Sequence, residues 1–322
     1  MTPAMVHLEV PEKLSVSDLI AERDLCRQDI EMIFNLAARV KSSPSSYARA
    51  LQGKQIALLF EKPSLRTRVT FEVGMTSMGG FAVILDHSKP RLGERESVRD
   101  VARNLERWVQ GIVVRTFSQQ TVEELADHAS IPVINGLTDL FHPCQALADF
   151  FTLEEKFGKL RGLEIAYVGD GNNMAHSLMM VAAKLGVSIR IATPRGYEPR
   201  EEIVREAKRL AAKLGAKIRL LHDPLEAVSG AQAVYTDVWA SMGQEHSAHL
   251  RAQVFAPFRI TESLMAEAAS DAVFMHCLPA HRGEEVTEAV IDSPRSIVFD
   301  QAENRLHVQK AILLLLLQEA VE

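Results

Sequence analysis

Short apolar runs alternate with amphipathic stretches along almost the whole chain. The runs hold two to five residues rich in Val, Ile, Leu and Ala, which is typical of strands buried in a parallel sheet. Ten runs are predicted to be strands: Ile56–Phe60, Phe81–Leu85, Ile112–Val114, Val133–Ile134, Glu164–Val168, Ser188–Ala192, Lys217–Leu221, Ala233–Tyr235, Ala272–Met275 and Ile297–Phe299.

The stretches between these runs place apolar residues at helical spacing. Four of them are predicted to be helices: about Ser97–Gln110, Pro143–Phe157, about Glu198–Leu214 and about Ala302–Ala320. Alternating strands and helices predict an α/β fold, and two sheets fit ten strands better than one. We therefore expect two three-layer α/β domains, each with a mainly parallel sheet flanked by helices. Their predicted bounds are residues 1–146 and 147–305, and the last helix, about 306–322, is expected to pack back on the first domain.

Composition narrows the class of protein. The 322 residues carry a net charge of -6, with no basic patch, which argues against a nucleic-acid partner. The longest apolar run, Ala311–Leu317, is too short to span a bilayer, and the first residues do not resemble a signal peptide. Three cysteines, an odd and sparse number, favour a reducing compartment, so we expect a cytoplasmic protein without a membrane partner.

Polar clusters follow six of the predicted strands, where open parallel sheets bind their ligands. The clusters are Lys62–Arg68, Arg115, His142–Gln145, Asp170–Asn173, Asp237–Gly243 and His276–Arg282. In the first cluster, Ser64 is a natural N-cap for a helix that begins near Leu65. Hydroxyl groups, guanidinium groups and a helix N-terminus together favour a phosphate site. The alternative is a capped helix with a solvated basic first turn.

The other clusters have structural alternatives as well. His142 could be a packing residue at a helix start, and Asn172 and Asn173 could be plain helix caps. A zinc site that uses Cys144, Cys277 and nearby histidines lacks the usual ligand spacing, so we expect no metal.

Five motifs in order resemble the aspartate/ornithine carbamoyltransferase family over nearly the whole chain. They are KPSLRTR, HPCQALAD, DGNNMAHSLM, DVWASMG and HCLPAHRGEEV, and the last two are typical of the members that use ornithine. The resemblance implies carbamoyl transfer from carbamoyl phosphate to the δ-amine of L-ornithine, which gives L-citrulline and phosphate. It implies no cofactor, an active site in the cleft between the domains, and carbamoyl phosphate on the first domain and ornithine on the second.

The resemblance also implies the residues that bind each substrate. Carbamoyl phosphate would contact Ser64, Leu65, Arg66, Thr67, Arg115, His142, Gln145 and Arg305. Ornithine would contact Asn173, Asp237, Ser241, Met242, Cys277 and Leu278. The residues expected to act in catalysis are Arg66, Thr67, Arg115, His142 and Cys277.

The family forms homotrimers or multiples of trimers, with active sites at subunit interfaces that a neighbour's loop completes. That loop would lie near Asp86–Glu96, where Arg91 replaces the expected neutral polar residue. Leu65 replaces the usual Thr, so one hydroxyl contact to phosphate, worth about 1 kcal/mol, is missing.

Two other functions stay open at this point. One is carbamoyl transfer to putrescine or an N-acylated ornithine, and the other is a non-catalytic carbamoyltransferase-like binding subunit. The direction of the reaction in arginine metabolism, synthesis or breakdown of citrulline, also stays open.

Overall fold

A computed structural model of the chain describes residues 13–240 and 248–317. Contacts divide the chain into two compact units. The first unit comprises Met1–Asp139 and Arg305–Glu322, and the second comprises Leu140–Asn304. The long helix α12, Val298–Leu317, begins in the second unit and continues in the first.

The first unit contains a four-stranded parallel sheet. Its strands are β1 (Gln55–Phe60), β2 (Phe81–Asp86), β3 (Gly111–Arg115) and β4 (Val133–Leu137), in the spatial order β2-β1-β3-β4. Its helices are α1 (Arg27–Ser42), α2 (Arg66–Ser77), α3 (Val98–Leu105) and α4 (Gln119–His128), with short 3-10 turns at Glu22–Asp24 and Pro44–Tyr47. Ala57 and Leu59 of β1 share a buried core with Ala102 of α3 and Leu125 of α4.

The second unit contains a five-stranded parallel sheet. Its strands are β5 (Glu164–Val168), β6 (Ser188–Ala192), β7 (Ile218–Leu221), β8 (Ala233–Thr236) and β9 (Val273–His276), in the order β7-β6-β5-β8-β9. Its helices are α5 (Pro143–Phe157), α6 (Asn173–Leu185), α7 (Glu201–Ala212), α8 (Pro224–Val228), α9 (Ala248–Phe255), α10 (Glu262–Ala266) and α11 (Glu288–Ile291), with a 3-10 turn at Ala256–Phe258. Val168, Val234 and Phe274 of its strands share a buried core with Ile260 and Val290.

The strand order of each sheet reverses once, and this reversal marks where a ligand can bind. In the first sheet the chain runs from β1 to β2 on one side of β1 and then crosses to β3 on its other side, so the switch point lies between β1 and β3. In the second sheet it lies between β5 and β8. Crevices open outside the carboxyl ends of the strands at such points. No helix among the described residues is long and apolar enough to cross a membrane.

The predicted α/β class and two parallel sheets are confirmed. Nine predicted strands appear within one to three residues of their expected ends, but the strand at Ile297–Phe299 is wrong. Ile297 donates one backbone hydrogen bond to Phe274, and helix α12 then begins at Val298. An apolar run this short fits a strand or a buried helix equally well.

The helix predictions differ from the structure mainly at their ends. Helix α5 covers the predicted Pro143–Phe157, because Pro143 begins it and Gly158 ends it in the left-handed conformation with φ 72°. Helix α3 ends at Leu105, earlier than the predicted Gln110. The contacts divide the chain before α5, whereas the predicted domain boundary after residue 146 falls inside that helix.

Candidate functional site

The loop Lys62–Arg68 lies at the carboxyl end of β1, on the switch point of the first sheet. Helix α2 begins at Arg66, and Leu65 rather than Ser64 occupies its N-cap position. The Ser64 hydroxyl nevertheless accepts a hydrogen bond from the Thr67 amide at 3.2 Å. The Leu65 side chain is 72% exposed. The loop therefore presents a helix N-terminus, a geometry that binds anions.

Thr67 joins this loop to the last helix of the chain. Its side chain is buried, and its hydroxyl accepts a hydrogen bond from the Arg305 guanidinium at 2.7 Å. Arg305 is itself buried. The structure thus places three of the predicted residues, Ser64, Thr67 and Arg305, in contact through one loop.

Arg115 ends β3, directly beside the end of β1. It pairs in register with Phe60, its carbonyl accepts from the Glu61 amide at 2.9 Å, and its side chain is buried. Burial lowers the pKa of neighbouring Lys62, the positive charge of Arg115 lowers it further, and the ion pair with Asp139 opposes both effects. Arg115 therefore adds a buried positive charge at this switch point, whereas the charge of Lys62 is offset by the Asp139 carboxylate.

The segment expected to reach a neighbouring subunit contacts the same strand ends within its own chain. The Leu92 amide donates to the Glu61 carboxylate at 2.8 Å. The Arg91 guanidinium lies 4.2 Å from the centroid of the Phe117 ring, and the Lys62 ammonium lies 4.3 Å from the same centroid. A role of Arg91 in a neighbour's site stays a prediction.

His142 and Gln145 lie at the start of α5 in the second unit. His142 occupies the N-cap position, and its amide donates to the Ser177 hydroxyl at 2.8 Å. His176 holds the same segment, because its Nδ1 lies 3.0 Å from the Leu140 carbonyl. The Gln145 amide nitrogen donates to the Asp149 carboxylate at 2.8 Å. Both predicted side chains are buried, and Asp149 positions that of Gln145.

Asp237 follows β8 at the switch point of the second sheet and accepts three hydrogen bonds. The donors are the Asn172 amide group at 2.8 Å, the Val238 backbone amide at 2.8 Å and the Cys277 thiol at 3.0 Å. Asn172 also caps helix α6, since its side-chain oxygen accepts from the Met174 and Ala175 amides. Asn173, which the sequence predicted as the ligand, is the first residue of that helix. A buried carboxylate held in this way offers a partner for an ammonium group.

Leu278 adopts a backbone conformation that few side chains tolerate. Its φ is 56°, in the left-handed region, and its amide donates to His276 Nδ1 at 2.8 Å. Nδ1 of His276 is therefore an acceptor, so Nε2 carries the proton and donates to Glu285 at 3.2 Å. The other predicted ornithine ligands, Ser241 and Met242, lie outside the described residues.

Asp170 forms a second carboxylate near Asp237. Burial raises its pKa to about 6, and the charge of Asp237 raises it as well, while the Arg251 guanidinium 2.9 Å away opposes the shift. Arg251 also donates to the Trp239 carbonyl at 2.7 Å. This ion pair ties α9 to the ends of β5 and β8.

Two groups of side chains within the described residues have ligand atoms close enough to hold a metal ion. They are Asp237, His276 and Cys277, and His281, Glu284 and Glu285. In the first group the Cys277 thiol donates to Asp237 and both ring nitrogens of His276 are already bonded. His142 and Cys144, considered as zinc ligands from the sequence, belong to neither group.

Comparison with known proteins matches both halves of the chain to one family. The model for the aspartate/ornithine carbamoyltransferase carbamoyl-P binding domain matches residues 17–155, and the model for the Asp/Orn binding domain matches residues 161–316. The chain belongs to the aspartate/ornithine carbamoyltransferase family. The family resemblance read from the five motifs is thereby confirmed.

Individual relatives in the carbamoyltransferase family are similar over nearly their whole length. The ornithine carbamoyltransferase of Anoxybacillus flavithermus is 53% identical over 307 residues, 95% of this chain and 98% of that protein. The solved ornithine carbamoyltransferase from Pyrococcus furiosus superposes with a TM-score of 0.91 at 50% identity, over 93% of this chain and 96% of that one. The enzyme from Thermus thermophilus gives 0.86 at 48% identity, over 94% and 99%.

The structure shows several polar contacts near the site that the sequence did not predict. Lys62 and Asn172 stood in the motifs, but their buried contacts became visible only in the structure. His176 and Asp149 looked like ordinary helix residues, and a pattern of apolar spacing carries no signal for a buried polar contact made across the fold.

Proposed function

We propose that the protein transfers the carbamoyl group of carbamoyl phosphate to the δ-amine of L-ornithine, giving L-citrulline and phosphate. One observation carries the proposal: each sheet has ligand-binding chemistry at its own switch point. The first sheet places cations and a helix N-terminus there, which suit a phosphate, and the second places the buried carboxylate of Asp237, which suits an amine. Relatives of about 50% identity carry the same name, ornithine carbamoyltransferase.

For the donor, we propose that the phosphate binds Ser64, Arg66 and Thr67 together with the Leu65 amide. The Leu65 side chain is exposed and offers no hydrogen-bonding group, so Leu65 would contribute only its backbone amide. Arg305, held on Thr67, adds positive charge near that loop. Arg115 would contact both the phosphate and the carbamoyl oxygen.

For the carbamoyl group, the proposed partners are Arg115, His142 and Gln145. Thr67, Arg115 and His142 would stabilise the negative charge that develops on the carbonyl oxygen, as an oxyanion hole does. Removal of one such donor typically lowers the rate about 100- to 1000-fold.

For the acceptor, we propose that Asn173 and Asp237 hold the α-amino and α-carboxylate groups, with Ser241 and Met242 contributing from outside the described residues. Cys277 and Leu278 would line the site of the δ-amine. The three hydrogen bonds on Asp237 fix the orientation of its carboxylate.

In the reaction, the δ-nitrogen lone pair forms a bond to the carbamoyl carbon while the bond from that carbon to the phosphate oxygen breaks. The nitrogen loses one proton, which the departing phosphate can accept. The amine must be neutral to attack, and its pKa is Lys-like, so the rate should rise with pH from about 6 to 9. A flat profile over that range would contradict attack by the free amine.

We further propose that the protein assembles as a homotrimer or a multiple of trimers. The first unit exposes an apolar surface on α2 and the adjacent edge strand β2. Its residues are Leu65, Val69, Val73, Phe81 and Val83, which are 72%, 45%, 44%, 72% and 44% exposed. Contiguous apolar surface of this kind typically marks a protein interface.

We propose that the protein is cytoplasmic. Cys26, Cys144 and Cys277, which all lie within the described residues, form no disulfide bond, as expected for a chain that folds under reducing conditions.

The test is an end-point assay of citrulline and phosphate with carbamoyl phosphate and L-ornithine, putrescine or N-acetylornithine. We expect citrulline from ornithine and at most slow phosphate release with the other amines. Absence of citrulline would refute the proposal. The Arg66→Ala variant should lose carbamoyl phosphate binding, whereas the Arg68→Ala variant, altered at an exposed position in the same turn, should retain it.

A further inference from the structure

A fully buried carboxylate, Asp149, lies in the interior of the second unit and receives several hydrogen bonds. The side-chain amides of Gln145 and Gln301 both donate to its Oδ1 at 2.8 Å. The Tyr235 hydroxyl donates to its Oδ2 at 2.9 Å. Burial raises the pKa of Tyr235 well above its ordinary value, and the charge of Asp149 raises it further, so Tyr235 remains a donor.

The direction of these bonds follows from a single backbone group. The His276 backbone N–H can only donate, and it donates to Oε1 of Gln301 at 3.0 Å. The other end of the Gln301 amide, its NH₂ group, must therefore face Asp149, and Oδ1 is an acceptor. The same Oδ1 faces Gln145, so Gln145 also presents its NH₂ group to Asp149.

This arrangement leaves the carbonyl end of the Gln145 amide pointing away from Asp149. Its Oε1 is buried and accepts no hydrogen bond from any group in the described part of the chain. A buried acceptor without a donor is costly, and its occurrence in a folded protein calls for a ligand or a water molecule. Of the two ends of carbamoyl phosphate, only the carbamoyl NH₂ group carries N–H donors.

We propose that Asp149 is a positioning residue for donor specificity: it fixes the direction of the Gln145 amide, so that Gln145 accepts a hydrogen bond from the carbamoyl NH₂ group. This inference rests on carbamoyl phosphate being the donor. It predicts discrimination against acyl phosphates that carry a methyl group in place of NH₂, such as acetyl phosphate, since a methyl group leaves Oε1 without a partner.

The matched probes are two stable phosphonates of equal size, phosphonoacetamide with a terminal NH₂ and acetonylphosphonate with a terminal CH₃. Titration calorimetry on the full-length protein measures the Kd of each. Wild type should bind the amide about 10- to 100-fold more tightly than the ketone, the usual range for one buried hydrogen bond whose partner is otherwise left unsatisfied.

The test variant is Asp149→Leu, which replaces the carboxylate by an apolar group of similar size. Asn would be unsuitable, because its oxygen can stay at the Oδ1 position while its NH₂ group donates to the Tyr235 hydroxyl. In Asp149→Leu the Gln145 amide has no acceptor that fixes its direction, so we expect the amide preference to fall to within about threefold of unity. The KM for carbamoyl phosphate should rise by the factor by which the amide preference falls. The KM for ornithine should stay unchanged.

Two controls separate positioning from general loss of structure. Tyr235→Phe removes the bond to Oδ2 but leaves the Gln145 contact, so it should keep the amide preference. Gln145→Met should lose the preference, and Asp149→Leu added to Gln145→Met should change it no further.

An unchanged amide preference in a folded Asp149→Leu protein would overturn the inference, as would failure of wild type to bind either phosphonate. Preference for the amide without citrulline formation would refute the proposed function and leave the role of Asp149 supported. If Asp149→Leu does not fold, a crystal structure of wild type with phosphonoacetamide decides. The ligand NH₂ should then lie within about 3.2 Å of Gln145 Oε1 while Nε2 stays on Asp149, and any other partner for that NH₂ refutes the inference.

Discussion

Two buried titratable groups of the second unit, His176 and Asp170, should make stability depend on pH in opposite directions. His176 bridges two segments as a neutral ring, since Nδ1 lies on the Leu140 carbonyl and Nε2 accepts from the Arg200 amide. Burial lowers its pKa from 6.5 to about 4. The unfolded chain therefore takes up a proton at a higher pH than the folded one, and the stability due to neutral His176 is lost as pH falls from about 6.5 to 4.

Asp170 behaves in the opposite sense. Its pKa is raised from 3.8 to about 6, so the folded protein protonates first as the solution is acidified. Burial of the charged form costs stability above pH 6, and this cost is relieved as pH falls toward 3.8. Between pH 7 and 5, we expect His176 to remove about 2 kcal/mol of unfolding free energy and Asp170 to return about 1 kcal/mol.

The assay is urea unfolding at pH 7 and pH 5, followed by circular dichroism. Each variant is compared with itself at the two pH values, so a constant loss of stability cancels. Relative to wild type, Asp170→Asn should lose about 1 kcal/mol more on acidification, because only the histidine effect remains. His176→Asn should lose about 2 kcal/mol less. Identical pH dependence in wild type and both variants would refute the assignment of these pKa shifts.

Three further predictions concern the switch points. Gly171→Ala should destabilise the protein by about 3 kcal/mol or more and raise the KM for ornithine, since a Cβ there would lie 2.2 Å from the Pro199 nitrogen. The control is Gly74→Ala, whose Cβ meets only side chains at 3.5 Å or beyond. Its denaturation should show no loss of stability. Asn172→Ala removes both a helix cap and a donor to Asp237, so it should lower the free energy of unfolding by about 1 kcal/mol and weaken ornithine binding. The control Asp223→Ala removes only the cap of α8 and should affect stability alone. Thr67→Val should weaken carbamoyl phosphate binding about tenfold in a direct titration, because the hydrogen bond from Arg305 to Thr67 is lost. The control Thr70→Val, one turn later, should leave binding unchanged. Equal effects of the two Thr variants would contradict the role of Thr67.

The sequence predicted the strands and the loops that follow them well. Buried parallel strands read as continuous apolar runs, and Pro143 and Gly158 punctuate helix α5 by their backbone restrictions alone. The clusters that contain Ser64, Thr67, Asp237 and Cys277 were singled out because loops after parallel strands carry ligand chemistry, and the family resemblance supplied the role of Cys277. The ligand roles of these residues stay predictions. These features depend on residue types close together in the chain.

The sequence was less informative where contacts join distant segments. It assigned Ile297–Phe299 to a strand, because a short apolar run looks the same in either secondary structure until its neighbours are known. It named Asn173 as a ligand but could not show that the neighbouring Asn172 caps α6 and donates to Asp237, because that contact joins distant segments. The role of Asn173 stays a prediction.

Thus the chain by itself determined an α/β fold with two parallel sheets, the loops that bear the chemistry, and the family to which it belongs. Only the tertiary structure decided which atoms of those loops can act. Thr67 receives Arg305 from 238 positions away, and Asp149 receives Gln301 from 152 positions away. The direction of a hydrogen bond depends on what every partner donates or accepts, and such partners are brought together only when the sheets and helices pack.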